Sequence, residues 1–181
     1  MDKNTVAKLP GNYIAGFVDG EGCFALKFRR DKKQNKNNKK FREYFYWNTE
    51  FAIVLRSDDF NILNLIKETF GCGSVVIIKK QNQVRFSVQN PKDLVEKIIP
   101  FFKRHKLYAK KGIDFQLWSC AVKIVNKNRR EGLNVTKGQR GFTKKEMNGL
   151  DHKKLQEIRN RMMFYKSQRE KPFKWGNQNR K

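Results

Sequence analysis

Apolar residues near the start of the chain recur first at helical spacing and then at every second position. Ile14, Phe17 and Val18 share one face of a predicted helix over 12–19, and small residues occupy another face. After this helix, apolar and polar residues alternate over 24–29, which is typical of a strand with one buried face. The chain is therefore predicted to begin with a short helix and a half-buried strand.

A second strand and a helix complete the first unit. Alternation over 42–56 predicts a long strand, with its aromatic and aliphatic residues on one parity. Asp58 or Asp59 is a suitable helix N-cap, and the apolar residues that follow recur at helical spacing. Gly71 is expected to end this helix, because glycine is favoured just after a helix C-terminus.

A shorter copy of this unit follows. Strands are predicted over 74–80 and 83–89, and a helix opens at Pro91, where the missing N–H of proline does no harm. Two strand–strand–helix units predict an α/β (α+β) fold. Its four-stranded antiparallel sheet should carry helices on one side and leave the other side open.

The remaining part of the chain is predicted to be mainly helical. Apolar residues recur at helical spacing over about 108–125, and a basic loop is predicted over 126–142. Thr143 and Glu146 have the spacing of a capping box, and a last helix is expected to start near Asp151.

The length of 181 residues favours one domain. We expect this domain to cover 1–165, and 166–181 to be a basic C-terminal tail that can be disordered. No apolar run approaches the roughly 20 residues that cross a bilayer, and no signal peptide is recognisable. We therefore expect an intracellular protein that has no membrane partner. The three cysteines, widely spaced, are predicted to be reduced and mostly buried.

Positive charge is concentrated in blocks. The chain has 41 Lys and Arg against 17 Asp and Glu, a formal net charge of +24. Residues 27–43 carry +7 and 153–181 carry +8, whereas 44–99 carry only +1. A small domain needs a net charge of only about 2–8 for solubility. The excess argues against a typical metabolic enzyme and for a polyanionic partner, with a merely solvated Lys-rich surface as the alternative.

The open face of the predicted sheet is a candidate nucleic-acid interface. Donors and acceptors are mixed on it, which suits the reading of base edges better than phosphate neutralisation. A solvated sheet face is the alternative, because antiparallel sheets often have one. The candidate DNA-binding residues are Lys27, Arg29, Arg42, Asn48, Glu50, Arg56, Lys80, Gln83, Arg85 and Ser87.

A short acidic turn, Asp19 to Gly22, ends the first predicted helix without a basic neighbour. Carboxylates in an otherwise cationic protein are candidate ligands for a divalent metal, with DNA phosphate supplying further oxygens. An ordinary helix-to-strand turn also uses Asp and Gly. An EF-hand loop is excluded, because Cys23 stands at its third ligand position.

Three linked segments resemble the LAGLIDADG homing endonuclease family, in the form that has one motif per chain. The first is similar to the motif itself, the second to the family's second strand and helix, and the third to a later helix. Together they span roughly 10–163 in family order. The segments are 13–22 continued by Cys23 and Phe24; 50–59 with 70–74; and Lys110, Lys111, Asp114, Phe115 and Trp118.

The resemblance implies an αββαββα fold whose antiparallel sheet forms a DNA-binding saddle. Single-motif members are homodimers, so two motif helices pack together and double-stranded DNA with a palindromic or nearly palindromic site is the expected partner. Small residues then let the helices approach closely. The residues expected at this dimer interface are Ala15, Gly16, Asp19 and Gly20.

The resemblance also implies the catalytic groups. Glu21 corresponds to the metal-binding catalytic carboxylate, and the Gly20 carbonyl is a neighbouring metal ligand. The expected cofactor is Mg²⁺, with Mn²⁺ as a substitute, and the products carry short 3′ overhangs. Lys110 or Lys111 looks like the lysine that stabilises the phosphate, and the sequence leaves the choice between them open.

Two positions depart from the family pattern. Glu21 replaces the Asp in the motif's name, which adds one methylene of reach. A polar residue, often Gln, that lines the pocket in some relatives falls at or near Leu55, where Arg56 is a candidate substitute.

Other functions fit the same charge and motif. The first is an RNA maturase that assists splicing of its host intron, and the second is a non-catalytic DNA-binding regulator. A ribosomal-protein-like RNA binder fits the length and charge but not the motif. Genes of this kind lie in introns of chloroplasts, mitochondria, bacteria or phages, and the sequence leaves the compartment open.

Overall fold

The structure is a computed structural model that describes residues 8–34, 40–136 and 145–169. The first half forms α1 (Gly11–Glu21), β1 (Gly22–Gln34), β2 (Phe41–Arg56), α2 (Phe60–Phe70), β3 (Ser74–Ile78) and β4 (Gln83–Val88). The second half forms α3 (Pro91–Asp93), a π-helical turn (Leu94–Ile98), α4 (Ile99–Arg104), α5 (Lys111–Arg130), β5 (Leu133–Asn134), β6 (Lys145–Glu146) and α6 (Gly149–Arg169).

Four strands form one antiparallel sheet in the order β1-β2-β4-β3. Phe51 at the middle of β2 pairs with Phe24 on one side and Val88 on the other, so all three side chains point to the same face. That face is buried under the helices, whereas the other face is left open. The predicted fold class is confirmed.

Aromatic rings fill the space between the sheet and the helices. The ring of Phe24 lies 5.3 Å from Phe51, 5.8 Å from Phe102, 5.4 Å from Phe115 and 5.0 Å from Trp118, measured between centroids. Such stacked, tilted and edge-on contacts add about 0.5–1.5 kcal/mol per pair beyond area burial. They join β1, β2, α4 and α5 into one core.

The last helix docks on the end of the β1–β2 ribbon. Leu155 of α6 is fully buried, and the indole N–H of Trp47 donates to Nδ1 of His152 at 3.0 Å. Asn128 of α5 donates to Asp151 Oδ2 at 2.8 Å. Both hydrogen bonds involve buried side chains, Trp47 and Asn128, and therefore fix the position of α6 against the sheet and α5.

Several element boundaries differ from the prediction. Helix α5 continues to Arg130, so the predicted loop over 126–142 begins five residues too early. The physical reason is Asn128, which is buried and donates to the Ile124 carbonyl at 2.9 Å as well as to α6. A polar residue with these partners lies inside the fold and extends the helix.

The predicted capping box does not form. Glu146 lies in strand β6, paired with Asn134, and Thr143 is outside the described residues. Asn148 caps α6 instead, because its Oδ1 accepts a hydrogen bond from the Leu150 N–H at 3.0 Å.

The start of the predicted tail belongs to the last helix. Helix α6 extends to Arg169, and the rest of the predicted tail, 170–181, lies outside the described residues. Among the described helices, none is long and apolar enough to span a membrane.

Two of the three cysteines are more accessible than predicted. Cys23 and Cys120 are exposed, and Cys72 is half-buried. Burial, with a smaller contribution from the Asp93 carboxylate, raises the pKa of Cys72 to about 11. Cys72 is therefore a thiol that stays protonated at neutral pH.

Gly22 joins α1 directly to β1 without a connecting loop. A Cβ at this position would lie 2.5 Å from Cγ1 and 2.8 Å from the carbonyl oxygen of Val18. Only glycine therefore lets the strand leave the helix at this angle.

We expect Gly22→Ala to destabilise the fold by about 1–3 kcal/mol, as overpacking in a filled site does. The free energy of unfolding from urea titration measures the effect. Gly149→Ala is the control, because a Cβ there meets nothing within 4 Å. Equal stability of the two variants would show that the helix–strand junction yields easily.

Candidate active site and nucleic-acid interface

The acidic turn lies where α1 ends and β1 begins. Glu21 is the last residue of α1, and its side chain is exposed. Gly20 is exposed as well, and a Cβ on it would meet nothing within 4 Å. The carboxylate is thus presented at the surface, on an uncovered part of the helix.

The structure separates the two candidate lysines. Lys111 Nζ donates to the carbonyl of Asp19 at 3.0 Å and makes a second, shorter contact with the carbonyl of Gly20. Lys110 is exposed and occupies the N-cap position of α5. Lys111 is therefore the lysine whose ammonium lies beside the end of the motif helix.

Asp19 ties the motif helix to the loop before α5. Its Oδ2 accepts hydrogen bonds from the N–H of Tyr108 at 2.7 Å and of Ala109 at 3.2 Å. Its Oδ1 is buried and has no hydrogen-bond partner within the described part of the chain. Because the loop leads directly into Lys111, these bonds also set the position of the Lys111 side chain.

The acidic turn offers oxygen donors, but within the described residues it does not form a metal site by itself. The described residues contain no group of three His, Cys, Asp or Glu side chains that could hold a metal ion. The Glu21 carboxylate and the Gly20 carbonyl are oxygen donors of the kind that Mg²⁺ prefers. They fit as part of a coordination sphere whose other oxygens would come from elsewhere.

One side of α1 is not covered by the residues that the structure describes. Tyr13 is 48% exposed, and a Cβ on Gly16 would meet nothing within 4 Å, as at Gly20. Ala15, however, is 4% exposed and packs inside the core. Of the four residues predicted at a dimer interface, Gly16 and Gly20 lie on the uncovered side, whereas Ala15 and the Asp19 carboxylate are engaged within the chain.

Nine of the ten predicted DNA-binding residues occupy strand positions that point to the open face. Cross-strand pairing aligns Lys27 with Asn48, Arg85 with Val54, and Arg56 with Gln83. Arg29, Arg42, Glu50 and Ser87 have the same strand parity and therefore point to the same face. Lys80 is the exception, because β3 ends at Ile78 and Lys80 lies in the 3₁₀ turn Lys79–Gln81.

Glu50 lies on this face but is not available to bind a base. It is 3% exposed, and its carboxylate accepts hydrogen bonds from Lys27 at 3.1 Å, Arg85 at 2.7 Å and Gln89 at 2.8 Å. Burial opposes ionisation of this carboxyl, but the hydrogen bonds from Arg85, Gln89 and Lys27 outweigh burial. The pKa of Glu50 therefore lies below its usual range.

The open face also carries residues that were not predicted to contribute. Val76 and Ile78 of β3 share the face of Arg85 and Gln83, and Val76 is 54% exposed. Tyr44 lies close to two cations. The Lys33 ammonium is 5.9 Å and the Arg42 guanidinium 5.4 Å from the centroid of the Tyr44 ring. Strand parity is the sequence signal that identifies them, because all three share the parity of the polar residues on this face.

Leu55 does not line the open face. It lies on the opposite parity of β2 and packs against the core, so the residue that takes the place of the family's polar pocket residue stays a prediction. Ala52 and Val54 are the open-face residues of β2 on either side of Ile53, which pairs with Gly22 of the acidic turn. Arg56 lies farther along β2 and forms an ion pair with Asp58 at 3.1 Å.

We expect Asp19→Ala to release the loop before α5, because two backbone N–H groups lose a charged acceptor. The loss in unfolding free energy should be about 1–3 kcal/mol. Amide hydrogen exchange should become faster at Tyr108 and Ala109. Asp58→Ala removes only an exposed ion pair and is the control. Unchanged exchange at both amides would contradict the role of Asp19.

Comparison with known proteins supports the motif. The LAGLIDADG endonuclease family model matches residues 14–122, more than half of the 181 residues. The chain is 30% identical over 126 residues to "Probable intron-encoded endonuclease 3" of Neurospora crassa, covering 66% of this chain and 22% of that protein. It is 31% identical over 106 residues to "Probable intron-encoded DNA endonuclease 1" of Mycosarcoma maydis, covering 59% and 35%. The chain thus spans about a fifth to a third of the length of these relatives.

Solved structures share the fold. The homing endonuclease I-GzeII, in complex with its DNA target, is 22% identical with a TM-score of 0.61, over 88% of this chain and 44% of that one. The homing endonuclease I-TnaI is 22% identical with a TM-score of 0.62, over 90% and 99%. Identities this low show the fold alone, whereas the family match rests on the sequence. The chain belongs to the LAGLIDADG endonuclease family.

Proposed function

We propose that this chain is a site-specific homing endonuclease that binds a long double-stranded DNA site and hydrolyses one phosphodiester in each strand. The observation that carries the proposal is the exposed Glu21 at the end of the motif helix, with Lys111 Nζ on the adjacent carbonyls. An exposed acid, with a lysine ammonium on the two carbonyls that precede it and a face of basic and polar side chains beside it, suits the hydrolysis of a phosphodiester.

We propose a homodimer because this sequence carries one motif, and therefore one Glu21, whereas cleavage of both strands would use one such acid for each strand. The uncovered glycines of α1, Gly16 and Gly20, would let the motif helix of a second copy approach closely. Two Glu21 carboxylates would then face opposite strands of one duplex. A two-fold dimer favours a palindromic or pseudo-palindromic site.

The residues at the turn have separate roles in this proposal. The Glu21 carboxylate and the Gly20 carbonyl would hold a divalent cation, for which we propose Mg²⁺ or Mn²⁺. When bound, this cation would polarise the scissile phosphate and lower the pKa of an attacking water. The Lys111 ammonium would offset the negative charge that develops on the phosphate. Cleavage would leave short 3′ overhangs.

The open face would read the DNA. A curved antiparallel sheet can follow the major groove, and Arg85, Gln83 and Asn48 offer the donors and acceptors that distinguish base pairs there. Val76, which is exposed, and Ile78, which is partly buried, could contact thymine methyl groups. Two fungal relatives are named for introns, "Cox1-I1b" in Schizosaccharomyces pombe and "ND4 intron 1" in Podospora anserina, so we propose a mitochondrial location over a chloroplast or bacterial one.

RNA binding, as in a maturase for a host intron, is a second candidate. Lys123, Lys127 and Arg130 lie on the exposed side of α5, away from its buried residues, beside a depression of about 460 Å³. Because α5 packs beneath the sheet, a duplex on the open face would not reach these cations. They offer phosphate contacts to a second nucleic acid.

We expect Glu21→Gln to abolish cleavage while preserving DNA binding. Cut molecules selected from a randomised duplex library with Mg²⁺ should yield one pseudo-palindromic site for the wild-type protein and none for the variant. Mixed dimers with one wild-type and one variant copy, purified by two tags, should nick a single strand. Glu146→Gln, an exposed acid in β6, is the control. Full cleavage by Glu21→Gln, or double-strand cutting by the mixed dimer, would contradict the proposal.

We expect Lys111→Met to lower kcat by about 100-fold or more, because a charge that stabilises the transition state is removed. Lys110→Met should change kcat only a few-fold, since its side chain is the exposed one. Single-turnover cleavage of the selected site measures both. A larger loss for Lys110→Met would assign the role to the other lysine.

A further inference from the structure

A buried acid lies at the centre of the open face. Glu50 is in β2, between β1 and β4, and its side chain is only 4% exposed. It receives a hydrogen bond from Lys27 on one neighbouring strand and from Arg85 on the other. The side chains of these two cations remain 42% and 31% exposed.

An acid here is costly for a surface that binds an anion. It offsets one positive charge where DNA phosphates approach, and burying a carboxylate removes it from water. A surface selected only for tight binding would have no such residue. Its three hydrogen bonds instead restrain side chains that would otherwise be long and mobile.

We propose that Glu50 is a positioning residue that aims Arg85 and Lys27 at base edges and keeps them from contacting phosphates without regard to sequence. The proposal rests on the proposed function, since it needs a DNA target. One guanidinium nitrogen of Arg85 is engaged by Glu50 at 2.7 Å. Because arginine has five N–H donors in a rigid fork, the side chain can hold Glu50 and still donate to a base.

Gln89 sets the orientation of the Glu50 carboxylate. Its amide donates to Oε1, the same oxygen that Arg85 contacts, whereas Lys27 contacts Oε2. Both oxygens are therefore occupied. The carboxylate orientation is fixed by donors on β1, on β4 and just beyond the end of β4, and the direction of Arg85 follows from it.

Glu50→Gln should separate affinity from specificity. The amide keeps the size of the side chain but loses the charge that holds the two cations. Freed cations can reach phosphates, so affinity for random duplex should rise, and the slope of log K against log salt should become more negative by about 1–2. Discrimination at the base pairs that face Arg85 should fall by about tenfold.

Glu43→Gln is the matched control. It removes the same charge from the same strand, and Glu43 also pairs with two cations, Arg30 and Lys32. Its position in β2 has the opposite parity to Glu50, so it does not point to the open face. A general charge effect would appear equally in both variants.

The experiment measures equilibrium binding of the wild-type protein, Glu50→Gln and Glu43→Gln to the selected site, to all its single-base variants and to random duplex, at several salt concentrations with Ca²⁺. We expect lost discrimination at one or two positions per half-site for Glu50→Gln alone, with tighter binding to random DNA.

Three results would overturn the inference: an unchanged specificity profile, weaker binding to every sequence, or equal changes in Glu43→Gln. If Glu50→Gln fails to fold, Arg85→Gln tests the same point, because it should lose discrimination at the same one or two positions without gaining affinity for random DNA. If the wild-type protein itself shows no preferred site, the proposed function fails rather than the role of Glu50.

Discussion

The direct passage from α1 to β1 at Gly22 is the constraint on which the site depends. No loop separates the motif helix from the first strand, so the direction of the helix is fixed by the sheet and by the packing of Val18 against Gly22. Glu21 therefore emerges at one reproducible place, at the end of the open face. The aromatic core around Phe24 supports this junction, since Phe24 follows Gly22 by only two residues.

The second set of constraints brings distant residues to the same place. Asp19 holds the backbone at Tyr108 and Ala109, and Lys111 then reaches back to the carbonyls at the end of α1. The two contacts are reciprocal, since each element supplies a charged side chain to the backbone of the other. A cation at a helix C-terminus also interacts favourably with the helix dipole. The acid and the lysine are thus held by one local network.

The positive charges of the chain lie in separate groups, and each group has different surroundings. On the open face, cations at the centre are held by a buried carboxylate, whereas those of the β1–β2 ribbon surround an aromatic ring, Tyr44. On the helical side, the cations of α5 lie exposed in a row. Net charge accounts for attraction to a polyanion, but the placement of the charges decides what each surface can recognise.

Much of the fold follows from local pattern in the sequence. Period-two alternation in β2 and β4 assigned open-face and core-face residues correctly, because a strand places successive side chains on opposite sides. Gly71 ends α2 with a left-handed φ of 61°, as the spacing indicated. The motif itself identified Glu21 as the candidate acid.

The tertiary structure decided what depends on contacts between distant residues. The position of the Lys111 ammonium beside the end of α1 rests on carbonyls about 90 residues away in sequence. The burial of Glu50 requires three donors from other segments. Ala15 is a core residue only because other elements pack on α1. Sequence periodicity determines which face a side chain occupies, because that is a local property. It does not determine whether the face meets another element, because that depends on how the whole chain packs.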